Sequence, residues 1–421
     1  MLKTLPSRPS KELKALFQED WYLAAHEDLG VLAKEGGAGC GWRHFYHHGY
    51  AEGRAAFPFD VRWYLEAYPQ AVIEIENGLA RTPQDHYARY GAARGYLPIP
   101  TAERPDNASA IRPRFGGLWI DAPNAEDQIQ GRLEIGYITE AEAEQLRRFR
   151  EDGYIILHSA IEPDLLEKAR SALERAYGGG YQDLKFECNS ITREHIAWRP
   201  DINGYPSKAL DIHMFSADMR ELMFANRVRR FLNILFECQP YASQSLGFLR
   251  GSAQESHQDS AYVAYTVPRQ FAASWIALED VTANAGELFY YPGSHNLPDY
   301  LYGKRYKSAS EARRNNYPAQ ALSQEIREHV ASLDSRAAEM GISREAFMAK
   351  AGDVLIWHAD LAHGGLPVSS DVTRKSLVTH YCPRFLSPLY TEAGSRKCHE
   401  HPSGGWFTSG IYPGMTPRDD A

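Results

Sequence analysis

The chain has 421 residues, 43% hydrophobic and 24% charged, with a formal net charge of -8. This is globular composition at a length that suits two or three domains, and the acidic balance excludes a general nucleic-acid binder. Cys40, Cys188, Cys238, Cys382 and Cys398 are scattered with no CxxC pair, which excludes a disulfide framework and fits a reducing cytoplasm.

The N-terminal stretch MLKTLPSRPSKELKALFQED holds no apolar run of signal-peptide length, and no later stretch approaches the roughly 20 apolar residues of a membrane span. The expectation is a soluble, cytoplasmic protein.

Residues 1–98 contain an internal repeat. DWYLAAHEDL from Asp20 parallels VRWYLEAYPQA from Val61, and HFYHHGYAEGR from His44 parallels HYARYGAARGY from His86. Trp21 and Trp63, Tyr22 and Tyr64, His44 and His86, Gly49 and Gly91, and Gly53 and Gly95 all pair at one offset of 42 residues. A fixed period that keeps aromatic and glycine positions predicts a small helical unit used twice, with its aromatics packed inside. The pattern resembles a short repeat of bacterial surface-polysaccharide synthesis proteins. That resemblance implies a glycan-pathway setting and docking to glycan-synthesis partners.

Pro98, Pro100, Pro105 and Pro113 then punctuate a stretch with few apolar residues, so residues 99–135 are expected to be a linker. A second domain is expected over 136–421. It opens with a capping box, Thr139 with Glu142 three residues on. Leu146 and Phe149 mark the helix's apolar face, Gly153 stops it, and YIIL reads as a buried strand. Beyond Ala242, short β-rich runs broken by Gly, Pro and Asn predict a mainly β sandwich or jelly roll with flanking helices. A polar, helical-period insert interrupts them at about 296–345. Its first part carries Lys304, Arg305, Lys307, Arg313 and Arg314 against Asp299 and Glu311. A basic lid over an anionic substrate and a solvated loop are equally compatible with that pattern.

ESHQDSAY, from Glu255, places His257 and Asp259 two apart in a stretch that reads as extended, so both side chains point to one side. His363, in the turn after the alternating run GDVLIWHADLAHGG, supplies a third donor; His358 is the alternative. Two histidines and a carboxylate on one face of an ion form the facial triad of non-haem Fe(II) oxygenases, which leaves sites open for a cosubstrate and O2. Arg374, eleven residues beyond His363, can hold a carboxylate through two parallel hydrogen bonds, as the far end of 2-oxoglutarate requires. CHEH, from Cys398, reads as a solvated loop.

FREDGYIIL, HQD at 257–259, WIALEDVTANAGELFYYPGSH from Trp275 and GDVLIWHADLAHGG followed by TRKSL together resemble the phytanoyl-CoA dioxygenase family of Fe(II)/2-oxoglutarate enzymes. The resemblance covers about Thr139 to Leu389. It implies a double-stranded β-helix, iron on His257, Asp259 and His363, and a salt bridge from Arg374 to 2-oxoglutarate. It also places Gln244 and Trp275 beside the cosubstrate. The family often has Ser or Thr two residues after the distal histidine; this chain has Gly365, and Ser376 is the candidate replacement. In related halogenases the carboxylate gives way to a small residue, so Asp259 points to hydroxylation. The substrate classes left open are a glycan or lipid-linked sugar, an acyl group such as an acyl-CoA, and a small amine or amino acid. A non-catalytic scaffold of a glycan-assembly complex is the alternative.

Overall fold

The protein is described from a computed structural model, over residues 8–37, 39–94, 96, 98, 117–368, 371–384, 386–389 and 397–419. It divides into two units: Met1–Arg114 with Trp119–Glu144, and Phe115–Leu118 with Gln145–Ala421.

The first unit is helical among its described residues. Short helices Lys11–Leu16, Glu19–Ala25, Gly30–Glu35 and Cys40–His44 are followed by Val61–Ala67, Pro69–Glu76 and Pro83–His86. The 42-residue offset appears in side-chain contacts. Tyr22 Oη lies 3.0 Å from His44 Nδ1, and Tyr64 Oη lies 2.8 Å from His86 Nδ1. After each histidine the helix widens into a π turn, Phe45–Gly49 and Tyr87–Gly91. A Cβ on Gly49 or Gly91 would collide with the hydroxyl of Tyr22 or Tyr64, which is why glycine stands there twice. Tyr22, Phe45 and Tyr64 are wholly buried, so these aromatics form core.

The expected linker over 99–135 differs from the structure. Trp119–Asp121 is a 3-10 turn and Ala125–Glu134 an α-helix. The Arg132 guanidinium is fully buried, 3.7 Å over the Trp119 ring and 5.4 Å from Tyr96. The proline run marks only residues 98–113; beyond it Ala125, Ile129 and Arg132 give the helix one buried face. Residues 99–116 lie outside the described residues.

The capping box forms as expected at the start of the helix Glu140–Asp152, with Glu142 N donating to Thr139 Oγ1 at 3.3 Å and Thr139 N donating to Glu142 Oε2 at 2.9 Å. The strands are β1 (Tyr154–Leu157), β2 (Lys185–Cys188), β3 (Thr192–Ala197), β4 (Lys208–Leu210), β5 (Pro240–Phe248), β6 (Ala272–Ala277), β7 (Leu288–Tyr290), β8 (Glu345–Phe347), β9 (Val354–His358), β10 (His363–Gly365), β11 (Ser376–Pro383), β12 (His399–Glu400) and β13 (Trp406–Phe407). A large sheet runs β1-β9-β6-β11-β5-β4-β2-β3, all antiparallel neighbours, and a small one runs β10-β7-β8. The two sheets face each other across a shared core in the manner of a jelly roll.

Register decides what points into that core. Trp275 pairs with Val378 and Leu355, Ala273 with His380 and Trp357, and Gln244 with His380. Period-two alternation therefore lays Gln244, Trp275, Trp357, Val378 and His380 on one inner face. Trp275, Leu355 and Trp357 pack there against Leu288 and Tyr290 of the small sheet. Among the described residues, no helix is long and apolar enough to cross a membrane.

Candidate active site

His257 is not part of a continuous strand, as the alternating sequence had suggested. It makes a single bridge to His363, with N–H to O=C bonds of 2.9 Å in both directions. Gln258 is extended, and Asp259 then opens a 3-10 turn that ends at Ala261. One extended residue between the two is enough to keep the His257 and Asp259 side chains on one side. The second histidine rides on β10.

Among the described residues, His257, Asp259 and His363 form the one group of three such donors whose ligand atoms all lie within 4.8 Å of one another. His257 Nε2 and His363 Nε2 stand 3.7 and 3.8 Å from Asp259 Oδ1. All three residues are buried. Each histidine's Nδ1 lies 2.9 Å from the backbone carbonyl two residues before it, Glu255 or Leu361. Donating Nδ1–H to a carbonyl fixes the tautomer and turns the Nε2 lone pair toward the shared space. Burial, then the neighbouring His363, push His257 down to about 3, so its ring is neutral. Burial alone would raise the Asp259 carboxyl, but the imidazoles of His363, His380 and His257 hold it well below the usual carboxylate range. A neutral imidazole beside an ionised carboxylate is the state a divalent cation needs.

Asp259 Oδ2 accepts a 2.9 Å hydrogen bond from Trp357 Nε1. His380 Nε2 lies 3.3 Å from the same oxygen without hydrogen-bond alignment. The Gln254 amide nitrogen is 3.1 Å from His257 Nε2. The sequence reading missed all three. Trp357 and His380 each fall on one parity of their strands, and the register is what turns that parity inward. His358, the alternative ligand, has the opposite parity; its Nδ1 accepts from Asp360 N at 3.0 Å, and its ring packs near Phe149 and His295.

Arg374 lies two residues before Ser376, on the inward parity. It is buried, with Nη1 donating to the Gly286 carbonyl and the guanidinium 5.5 Å from the Trp275 ring centre. Burial pulls it down to about 10, so it remains charged at neutral pH. Arg374 Nε, Ser376 Oγ and Trp275 Nε1 are buried polar atoms with no hydrogen-bond partner among the described residues. Such orphans cost free energy unless a ligand satisfies them. One cation and a hydroxyl beside it fit a carboxylate. Three of the four residues expected to line the cosubstrate pocket, Trp275, Arg374 and Ser376, thus share one place in the register; Gln244 is half-buried on the same face, opposite His380.

The HGG sequence has a steric cause. A Cβ on Gly364 would come 2.7 Å from the Gln254 carbonyl oxygen, and one on Gly365 2.7 Å from Ser252 Oγ. The chain segment before His257 approaches β10 too closely for any side chain, and the Ser252 hydroxyl fills the space that a residue-365 side chain would take.

Two imidazoles and one carboxylate on one face, with an arginine deeper in the same jelly roll, make the donor set of mononuclear non-haem iron oxygenases. The phytanoyl-CoA dioxygenase (PhyH) model matches residues 149–376, and the chain belongs to that family of Fe(II)/2-oxoglutarate-dependent dioxygenases. It is 22% identical over 266 residues to phytanoyl-CoA dioxygenase 1 of Oryza sativa subsp. japonica, across 56% of this chain and 87% of that protein. Among solved structures it is similar to the epimerase SnoN in complex with Fe3+, alpha ketoglutarate and nogalamycin RO (17% identity, 64% of this chain and 98% of that one, TM-score 0.44). It is also similar to EctD from S. alaskensis with 2-oxoglutarate and 5-hydroxyectoine (18% identity, 58% and 76%, TM-score 0.40).

Proposed function

We propose that the second unit is a double-stranded β-helix oxygenase that hydroxylates a C–H bond of a small or glycan-linked substrate, with Fe(II) held by His257, Asp259 and His363. The observation that carries this reading is the convergence of those three buried side chains with both histidine tautomers preset. When bound, iron and 2-oxoglutarate supply the oxidising chemistry, with succinate and CO2 as co-products.

The chain's own residues do the rest. The Glu255 and Leu361 carbonyls aim the two Nε2 atoms, and Trp357 Nε1 fixes the Asp259 carboxylate. Arg374, with Ser376 beside it, anchors the far carboxylate of 2-oxoglutarate, and Gln244 and Trp275 line its pocket. The apolar inner face around Trp275, Leu355 and Trp357 excludes water from that pocket. A cleft of about 300 Å³ reaches the site's edge at Gln254 and is bordered by Arg344 and Asp334. It is a route by which a substrate with charged groups can approach. The repeated N-terminal unit supports a setting in surface-polysaccharide synthesis and docking to its proteins.

The test is Fe(II)-dependent release of succinate from 2-oxoglutarate, screened against sugars and lipid-linked sugars, acyl-CoA thioesters and amino acids. Stimulation by one class names the substrate. No succinate with any of them, in iron-loaded protein, would favour the scaffold reading.

A further inference from the structure

The insert after β7 is tied into the metal centre by buried charge. Lys307, expected to be a free basic residue of a lid, is 4% exposed. Its Nζ lies 2.6 Å from Asp299 Oδ1 and 3.1 Å from Asp360 Oδ1. Asp360, 2% exposed, sits in the short loop between β9 and His363, and its other oxygen is 2.7 Å from Arg269 Nε. Ser260, the residue after Asp259, donates its hydroxyl to Asp360 Oδ1. The Asp360 carboxylate therefore touches the neighbour of one candidate ligand and lies three residues from another.

The backbone closes the same unit. Ser260 N donates to Ala359 O at 3.0 Å, Gln258 Nε2 donates to Asp360 O at 2.6 Å, and His257 and His363 exchange their two bonds. The insert adds apolar contacts. Tyr302, Ala309, Ala312 and Leu322 pack with Ala261 and Tyr262, two and three residues after Asp259. Ser310 Oγ donates to the Tyr262 carbonyl at 3.0 Å. Lys307 and Asp360 form a buried, neutral ion pair, with half-buried Arg269 and exposed Asp299 adding one charge of each sign at its edge. Burial alone would raise the Asp360 carboxyl; Lys307 and Arg269 hold it well below the usual carboxylate range.

We propose that Lys307 and Arg269 are positioning residues which, through Asp360, hold the 257–260 turn against the β9–β10 loop and so set the spacing of the metal ligands. The insert is then a clamp on the centre rather than an electrostatic lid. This rests on the metal reading given above.

The test is titration of the whole metal-free protein with Co(II), following affinity and the Co(II) absorption spectrum, with far-ultraviolet circular dichroism as the fold control. Lys307→Met keeps the aliphatic stem and removes the charge; it is expected to weaken Co(II) binding about 10- to 100-fold and alter the spectrum. Should Lys307→Met not fold, the double variant Lys307→Met/Asp360→Asn leaves no buried carboxylate short of its partner and is expected to fold with the same defect. Parental affinity and spectrum in either folded variant would overturn the proposal. Absence of Co(II) binding by the parent protein would instead overturn the metal reading, and the proposal with it.

Discussion

Replacing Arg374 isolates the cosubstrate half of the site. Its guanidinium carries five N–H donors in a planar fork. Nη1 is engaged by the Gly286 carbonyl, and Nε has no partner among the described residues. Within a pocket this buried, a bidentate contact to a carboxylate is worth about 2–4 kcal/mol, which is roughly 30- to 1,000-fold in affinity. Arg374→Ala is therefore expected to raise the Kd for 2-oxoglutarate by that factor, measured by calorimetry on Co(II)-loaded protein. Arg374→Lys keeps the charge but not the fork, so it is expected to recover only part of the loss. The control is 2-oxobutyrate, which keeps the 2-oxo acid end and lacks the far carboxylate; its affinity is expected to be the same in all three proteins. An unchanged Kd for 2-oxoglutarate in Arg374→Ala, or equal losses for both acids, would refute the assignment.

Trp357→Phe keeps a ring in the core but removes the donor to Asp259 Oδ2, and is expected to weaken Co(II) binding about tenfold or more; parental affinity would refute the role given to that hydrogen bond. His329 lies in the helix Ala319–Glu339, stacked on Tyr300 and bonded to Tyr302, and burial followed by Arg336 and Lys307 pushes it down to about 4 from 6.5. Between those pH values the unfolded chain binds a proton that the folded chain does not, so this stability is complete above the unfolded value and declines as pH falls toward about 4, by up to about 3 kcal/mol. Urea midpoints at pH 7.5 and 5 are expected to differ less in His329→Gln than in the parent; an equal drop would contradict the assignment. Gly365→Ser is expected to cost about 1–3 kcal/mol in urea unfolding and to be partly rescued by Ser252→Gly, because the new Cβ meets Ser252 Oγ at 2.7 Å; full stability in the single variant would refute the steric reading.

How much of this was legible in the sequence follows from the range of the interactions. YIIL alternates into a strand at Tyr154–Leu157, and Thr139 with Glu142 caps a helix, because both signals act within a few residues. The HxD pair kept its shared side although its surroundings are a bridge and a 3-10 turn, since only Gln258 needs to be extended. The linker's second half was misread because a buried arginine between two aromatic rings looks polar in a sequence. Lys307 was read as a surface charge for the same reason. Its partner Asp360 is distant in the chain, and no local pattern marks a lysine that topology will bury. The roles of Trp357 and His380 needed strand register, which a periodic pattern alone leaves open.

The central claim is that His257, Asp259 and His363 hold the metal. The most direct measurement is the iron bound per chain, loaded without oxygen, in the parent and in His257→Ala, Asp259→Ala, His363→Ala and His358→Ala. The account predicts one iron in the parent and in His358→Ala, and almost none in the other three. Full iron in His363→Ala with loss in His358→Ala would contradict it.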